Sequence, residues 1–192
     1  HAAIEKKFHV KKNGNPPWCI SQQYTRYHLA ELLGEIGFNR GAEIGVRRGK
    51  YSAYLCKCNP NLTISCVDPW EAYSNRYTTE KQEELYQTAV ANLAPYNAKI
   101  VRKRSMDALS DFDDRSLDFV FIDGNHTFDF VVMDIIEWSK KVKNGGIVII
   151  HDYYPLGGDG VRRAVDAYTH CHKIDPWYVT KEKEPTAFWV KP

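Results

Sequence analysis

The chain alternates short, nearly unbroken apolar runs with longer stretches in which apolar residues recur every three or four positions. The first pattern predicts strands buried on both faces, and the second predicts amphipathic helices. Strands are expected near residues 42–45, 63–67, 99–102, 117–122 and 146–150, with helices near 51–58, 79–94 and 128–143. A leading helix is expected over 24–36, where Tyr24, Tyr27, Leu29, Leu32, Leu33 and Ile36 fall at helical spacing and Gly37 supplies a stop. A further helix from Val161 to about Thr169 follows the turn Gly157-Gly158-Asp159-Gly160. Two last extended runs, 174–180 and 187–190, are separated only by residues 181–186, too few for a crossover helix, so they should be antiparallel neighbours. This order of elements predicts an α/β protein: a doubly wound, mostly parallel seven-stranded sheet with helices on both faces and a C-terminal antiparallel hairpin.

With 192 residues, 43% of them hydrophobic, the chain can bury one sizeable core and is short for two. A single domain is expected over 1–192, with an N-terminal loop and helix in 1–38 and the core in 41–192. A formal charge of +2 demands neither a nucleic-acid nor a membrane partner. Local basic groups, Arg47, Arg48 and Lys50 and then Arg102, Lys103 and Arg104, could attract an anionic substrate, although solvated surface is the favoured reading. Five cysteines, Cys19, Cys56, Cys58, Cys66 and Cys171, form no disulfide framework and predict a reduced, cytoplasmic protein. Cys56 and Cys58 stand two apart on an expected helix and point to different faces, which argues against a zinc knuckle. No apolar stretch approaches the roughly 18 residues of a membrane span, and the N-terminus lacks a signal-peptide core, so a soluble protein is expected. The chain opens on His1 rather than Met, which suggests a trimmed or tagged start.

Candidate chemistry collects at the strand ends. Ala42-Glu43-Ile44-Gly45-Val46-Arg47-Arg48-Gly49 places an acid two before one glycine and a second glycine four after it, where a strand turns into a helix. Such a turn lets backbone approach a nucleoside-like ligand closely. The run Ile64-Ser65-Cys66-Val67-Asp68 ends in a carboxylate about 20 residues on, where a ribose diol is held in nucleotide-binding sheets. Phe119 to Gly124 and Ile147 to Asp152 also finish apolar runs with carboxylates, Asp123 and Asp152. Strand alternation turns His151 into the sheet if Asp152 faces the crevice.

Together these residues resemble the class I S-adenosylmethionine-dependent methyltransferases. More narrowly, over roughly residues 41–190, they resemble the small-molecule O-methyltransferases related to catechol O-methyltransferase and to the macrolide-sugar and cephalosporin-pathway enzymes. The resemblance implies a Rossmann-like fold and S-adenosylmethionine as cofactor. It assigns to the cofactor Glu43, Gly45, Gly49 and Ser52 around the turn, Asp68 at the ribose, Ser105 and Met106 beside the adenine, and Asp123. By the same resemblance, Asp123, Asp152 and His151 are the expected ligands of a divalent metal. Magnesium is favoured, with a transition ion open because imidazole is in the set. Tyr153 stands where the catechol enzymes carry an amide. His126, three residues past Asp123, matches a lysine base in those relatives, and an imidazole has a suitable pKa, so His126 and Asp123 are the expected catalytic residues. The plainer readings are capping for Asp68, Asp123 and Asp152, a turn contact for His126, and a solvated helix face for Asp134.

The expected function is methyl transfer to a hydroxyl oxygen of a small molecule with help from a divalent metal. The aromatic-rich segment 69–77 is read as a lid over the site or as the entry to the next helix. The loop Asn13 to Trp18 is read as a cover for the cofactor or a contact in a homo-oligomer. A nicotinamide-dependent oxidoreductase is the first alternative, opposed by the lack of a glycine two before Gly45 and by the terminal hairpin. An inert cofactor-binding scaffold is the second. A nucleic-acid acceptor is disfavoured because Asp123-Gly124-Asn125-His126 replaces the Asn or Asp, Pro-Pro, aromatic motif of such enzymes.

Overall fold

A strand covered by helices on both sides has no polar face, and the central strand shows the consequence: β5 (Leu117–Ile122) is buried at every position. The computed structural model describes residues 1–10, 14–154 and 159–192. In chain order the other elements are α1 (Ala2–Phe8), β1 (Trp18–Cys19), α2 (Arg26–Glu35), β2 (Arg40–Ile44), α3 (Lys50–Cys58), β3 (Thr63–Val67), α4 (Thr79–Leu93), β4 (Ala98–Val101) and α5 (Ser105–Ala108). After β5 come α6 (Phe128–Lys141), β6 (Val142–Ile150), α7 (Gly160–Cys171), β7 (Trp177–Val179) and β8 (Ala187–Val190).

One sheet runs β1-β7-β8-β6-β5-β2-β3-β4. Strands β4, β3, β2, β5 and β6 are mutually parallel, whereas β8 is antiparallel to both β6 and β7, as the short gap between the last two runs requires. Beyond the seven expected strands there is an eighth. Trp18 and Cys19 pair with Tyr178 and Val179 at the outer edge, so the end of the expected N-terminal loop belongs to the sheet. Asn13 of that loop and Gly157-Gly158 of the glycine-rich turn lie outside the described residues. The helix α1 carries no strong sequence signal, yet Ile4 and Phe8 are buried, with Phe8 edge-on to Tyr24 and Phe188.

Alternate residues of each strand feed two cores. Phe119 and Phe121 pack on one face with Leu29, Leu33, Leu55 and Leu85, from α2, α3 and α4. Val120 and Ile122 pack on the other with Val131, Ile135 and Trp138 of α6 and Val161 and Val165 of α7. At the N-terminal edge, the Asp118 carboxylate accepts the Asn39 and Arg40 amides, each at 2.8 Å, and pairs with Lys143 at 2.5 Å, which ties β2 to β5. From β2 the chain runs outward through β3 to β4 and then returns to β5 on the opposite side of β2. The C-terminal ends of β2 and β5 therefore flank the switch-point crevice, where open α/β sheets bind ligands.

Candidate active site

Gly45 follows β2 with φ of 90°, and a Cβ there would collide with the Asp123 carbonyl and with Gly124 Cα. The glycine is thus required both by its left-handed backbone and by the close approach of the β5 end. The Asp123 amide donates to Ile44 O at 2.7 Å, and the Gly45 amide donates to Val67 O at 2.9 Å, so three strand ends meet at this corner. Gly49, with φ of 69°, is the N-cap of α3. Asp68 holds the turn from the β3 side: Oδ2 accepts the amides of Val46 and Arg47, and Oδ1 accepts that of Trp70, all at 2.9 Å. Burial raises the Asp68 pKa, and these backbone bonds work against the shift. A carboxylate has about four acceptor positions, so Asp68 keeps capacity for a further donor.

Glu43 and Ser52 lie under the turn. Both are buried, the Ser52 hydroxyl donates to the Glu43 carboxylate, and the Cys66 thiol donates to Ser52 Oγ at 3.2 Å. Burial pushes the Glu43 pKa up to about 8. The segment after Asp68 divides in two. Trp70 is buried, donates from Nε1 to Arg47 O at 2.9 Å and packs edge-on against Tyr86, so it braces the turn. Tyr73, by contrast, is exposed and stacks on Tyr77 with ring centroids 4.8 Å apart.

On the α6 side, Ser105 donates to the Asp134 carboxylate and accepts the Trp138 indole N–H at 2.7 Å. Asp134 is buried, and burial pushes its pKa up to about 6, contrary to the solvated-face expectation. Val131, Asp134, Ile135 and Trp138 follow helical spacing on one covered face, a signal already present in the sequence. A Cβ on Gly124 would lie 3.7 Å from Asp134 Oδ2, so this carboxylate stands near the strand end that carries Asp123. Met106 is half-buried against the same core.

The two expected carboxylates do meet. His126 Nε2 lies 3.2 Å from Asp152 Oδ2 and 3.7 Å from Asp123 Oδ1, and one ligand atom from each of the three falls within 4.8 Å of the others. The contact with Asp123 raises the His126 pKa, partly opposed by burial. Asp152 has φ of 59°, and burial raises its pKa.

His151 points inward, as strand alternation predicts. Its Nδ1 lies 3.0 Å from Thr186 Oγ1, and its Nε2 meets the Arg26 guanidinium. Because a guanidinium only donates, Nε2 accepts and Nδ1 carries the proton. Burial lowers the His151 pKa, consistent with this neutral form. His151, Asp152 and Glu184 also bring ligand atoms within 4.8 Å of one another, but a cation bound through His151 Nε2 would displace Arg26. Tyr153 turns away: its hydroxyl donates to Asp166 Oδ1 of α7 at 2.7 Å.

Arg26 escaped the sequence reading. It starts α2, after the Thr25 cap, and its partner His151 is 125 positions away, so no local pattern marks it. Its amide donates to Glu182 Oε1 at 2.7 Å, and its guanidinium carbon lies 5.5 and 5.4 Å from the Tyr27 and Tyr51 ring centroids. The basic group at 102–104 is surface: Arg102 pairs with Glu83, Lys103 with Asp111 and Arg104 with Glu71. Among the described residues, no helix is long and apolar enough to cross a membrane.

Comparison with known proteins bears on the family and the fold. The profile of a methyltransferase-domain family matches residues 42–153, from β2 to just past Asp152. A protein described as uncharacterized, y4gI of Sinorhizobium fredii, is 29% identical over an alignment of 121 residues that covers 59% of this chain and 13% of that protein. The chain therefore spans a small part of that curated relative's length. The cofactor-bound structure of Rv0187 from MTB aligns with a TM-score of 0.67 at 19% identity, covering 98% of this chain and 86% of that one. The O-methyltransferase TomG of Streptomyces achromogenes, involved in tomaymycin synthesis and solved with S-adenosylmethionine, aligns with a TM-score of 0.62 at 16% identity over 100% of this chain and 87% of that one. These two likenesses show a shared fold, the Rossmann-like arrangement expected from the sequence.

Proposed function

The chain belongs to the methyltransferase-domain family, and from that premise we propose that it moves a methyl group from S-adenosylmethionine to a hydroxyl oxygen of a small molecule. The observation that carries this reading is the meeting of Asp123, His126 and Asp152 at adjoining strand ends, next to the Gly45 corner. The cofactor would lie across the turn between Gly45 and Gly49, with its ribose at Asp68 and its adenine toward Ser105 and Met106. Asp68 fits that role because it retains acceptor capacity beside the turn amides. Glu43 and Ser52 support the turn from below, and Asp123 closes the corner.

Two carboxylates and an imidazole whose donor atoms converge suit a divalent cation, and Asp123, Asp152 and His126 would hold it. A bound cation acts as a Lewis acid that lowers the pKa of the acceptor hydroxyl. Methyl transfer itself needs alignment of oxygen, methyl and sulfur more than covalent help, so the rigid strand ends contribute by positioning. A second reading rests on the raised His126 pKa: without a cation, His126 takes the acceptor proton, and Asp123 and Asp152 stabilise the imidazolium. Labelled S-adenosylmethionine offered with a panel of hydroxylated metabolites, with and without chelator, tests both. Transfer abolished by chelator supports the cation, and transfer that survives it supports His126 as the base. Absence of transfer to any hydroxyl across the panel argues against O-methylation.

A further inference from the structure

A guanidinium has five N–H donors, and that of Arg26 gives one to His151. Among the described residues, no carboxylate oxygen lies within 4.0 Å of it, although Asp123 and Glu43 both act on it at longer range. The group is half-buried and held in place from three sides. His151, itself fixed by Thr186, meets one nitrogen, and the Tyr27 and Tyr51 rings flank the group. The backbone of Arg26 is fixed as well, by Glu182 on its amide and by the Tyr51 hydroxyl on its carbonyl at 3.0 Å. An arginine positioned with this much support and without an acidic partner is preorganised for a planar anion. It touches His151, the residue next to the acceptor-site acid Asp152, and its guanidinium also lies over Tyr51 of α3, near enough to the glycine turn for Glu43 to feel its charge.

We propose that Arg26 is a carboxylate clamp for the acceptor, so that the methylated molecule is a hydroxy acid whose carboxylate forks onto this guanidinium while its hydroxyl faces Asp123, His126 and Asp152. This assignment rests on the methyl-transfer reading above and adds a substrate class to it. Calorimetry on protein saturated with S-adenosylhomocysteine tests it, with salicylate and mandelate as probes against their neutral twins, salicylamide and mandelamide. The clamp predicts that the wild type binds at least one acid about tenfold more tightly than its amide. Arg26→Gln removes that preference. Arg26→Lys, which keeps the charge without the fork, retains part of it and carries the test if the glutamine variant fails to fold. Equal binding of acid and amide by the wild type, or no binding of either acid, overturns the proposal. So does an Arg26→Gln variant that loses affinity for S-adenosylhomocysteine but not for methylthioadenosine, because the guanidinium would then hold the cofactor's own carboxylate. If S-adenosylhomocysteine itself fails to bind, the methyl-transfer reading fails, while the acid and amide comparison on the free protein still reports on the clamp.

Discussion

His126 Nε2 lies 3.2 Å from Asp152 Oδ2, so one imidazole bridges the turn after β5 and the end of β6. Asp152 is the cleaner of the two carboxylates to change, because Asp123 also closes the cofactor corner. Asp152→Asn is expected to lower kcat by about a hundredfold or more, the scale of a lost acid–base or charge-stabilising group. The affinity for S-adenosylhomocysteine should stay within a few-fold. Steady-state rates beside calorimetry check this, and a large loss of cofactor affinity would move Asp152 out of the acceptor site.

The Asp123 contact holds the His126 pKa above its ordinary 6.5. Protonated His126 therefore stabilises the cation-free fold fully at pH below 6.5, and that contribution is lost as pH rises through the higher folded-state value. His126→Gln should flatten the pH dependence of urea unfolding over that window. Cation affinity should climb over the same window, since a ligand imidazole must be neutral. An affinity that ignores pH there removes His126 from the ligand set.

Gly45 and Gly145 both have positive φ, but only Gly45 has backbone where a Cβ would go. Gly145→Ala meets open space and should cost about 1–2 kcal/mol for the left-handed backbone alone. Gly45→Ala should cost a further 1–3 kcal/mol or so, or prevent folding, because the Asp123 end of β5 must move. Denaturant midpoints of the two variants give the comparison.

Burial raises the Asp134 pKa from 3.8 to about 6, so its charge is disfavoured in the fold. The penalty grows as pH rises from the unfolded value of 3.8 and levels off above about 6. Asp134→Asn keeps an acceptor for Ser105 and should be more stable than the wild type at pH 8 by on the order of 1 kcal/mol. The advantage should vanish near pH 3. Thermal unfolding at the two pH values measures it, and a variant less stable at both would show that the charge itself is needed.

What could be read from the chain was local. The core parallel strands follow from apolar runs, the final hairpin from a connection too short to cross over, and the strand-end acids from their place after each run. Asp134, expected on a solvated helix face, is buried instead; the signal against that expectation was the spacing of Val131, Ile135 and Trp138, which mark the covered face of α6 on which it sits. The union of His126 with Asp152 was not legible, because it depends on the left-handed turn at Asp152 and on the pairing of β5 with β6. Nor was Arg26, whose meaning comes from His151 and from the Tyr51 ring, both distant in the chain and brought to it only by the fold. The two-residue strand β1 is too short to leave a periodic trace, and it exists because β7 offers an edge.

The central claim is that an adenosyl sulfonium lies across the Gly45 corner. Calorimetric titration of the wild type with S-adenosylhomocysteine, beside an identical titration with NAD, tests it most directly. Saturable micromolar binding of S-adenosylhomocysteine with no heat from NAD is the predicted result. Binding of NAD with none of S-adenosylhomocysteine would contradict the account.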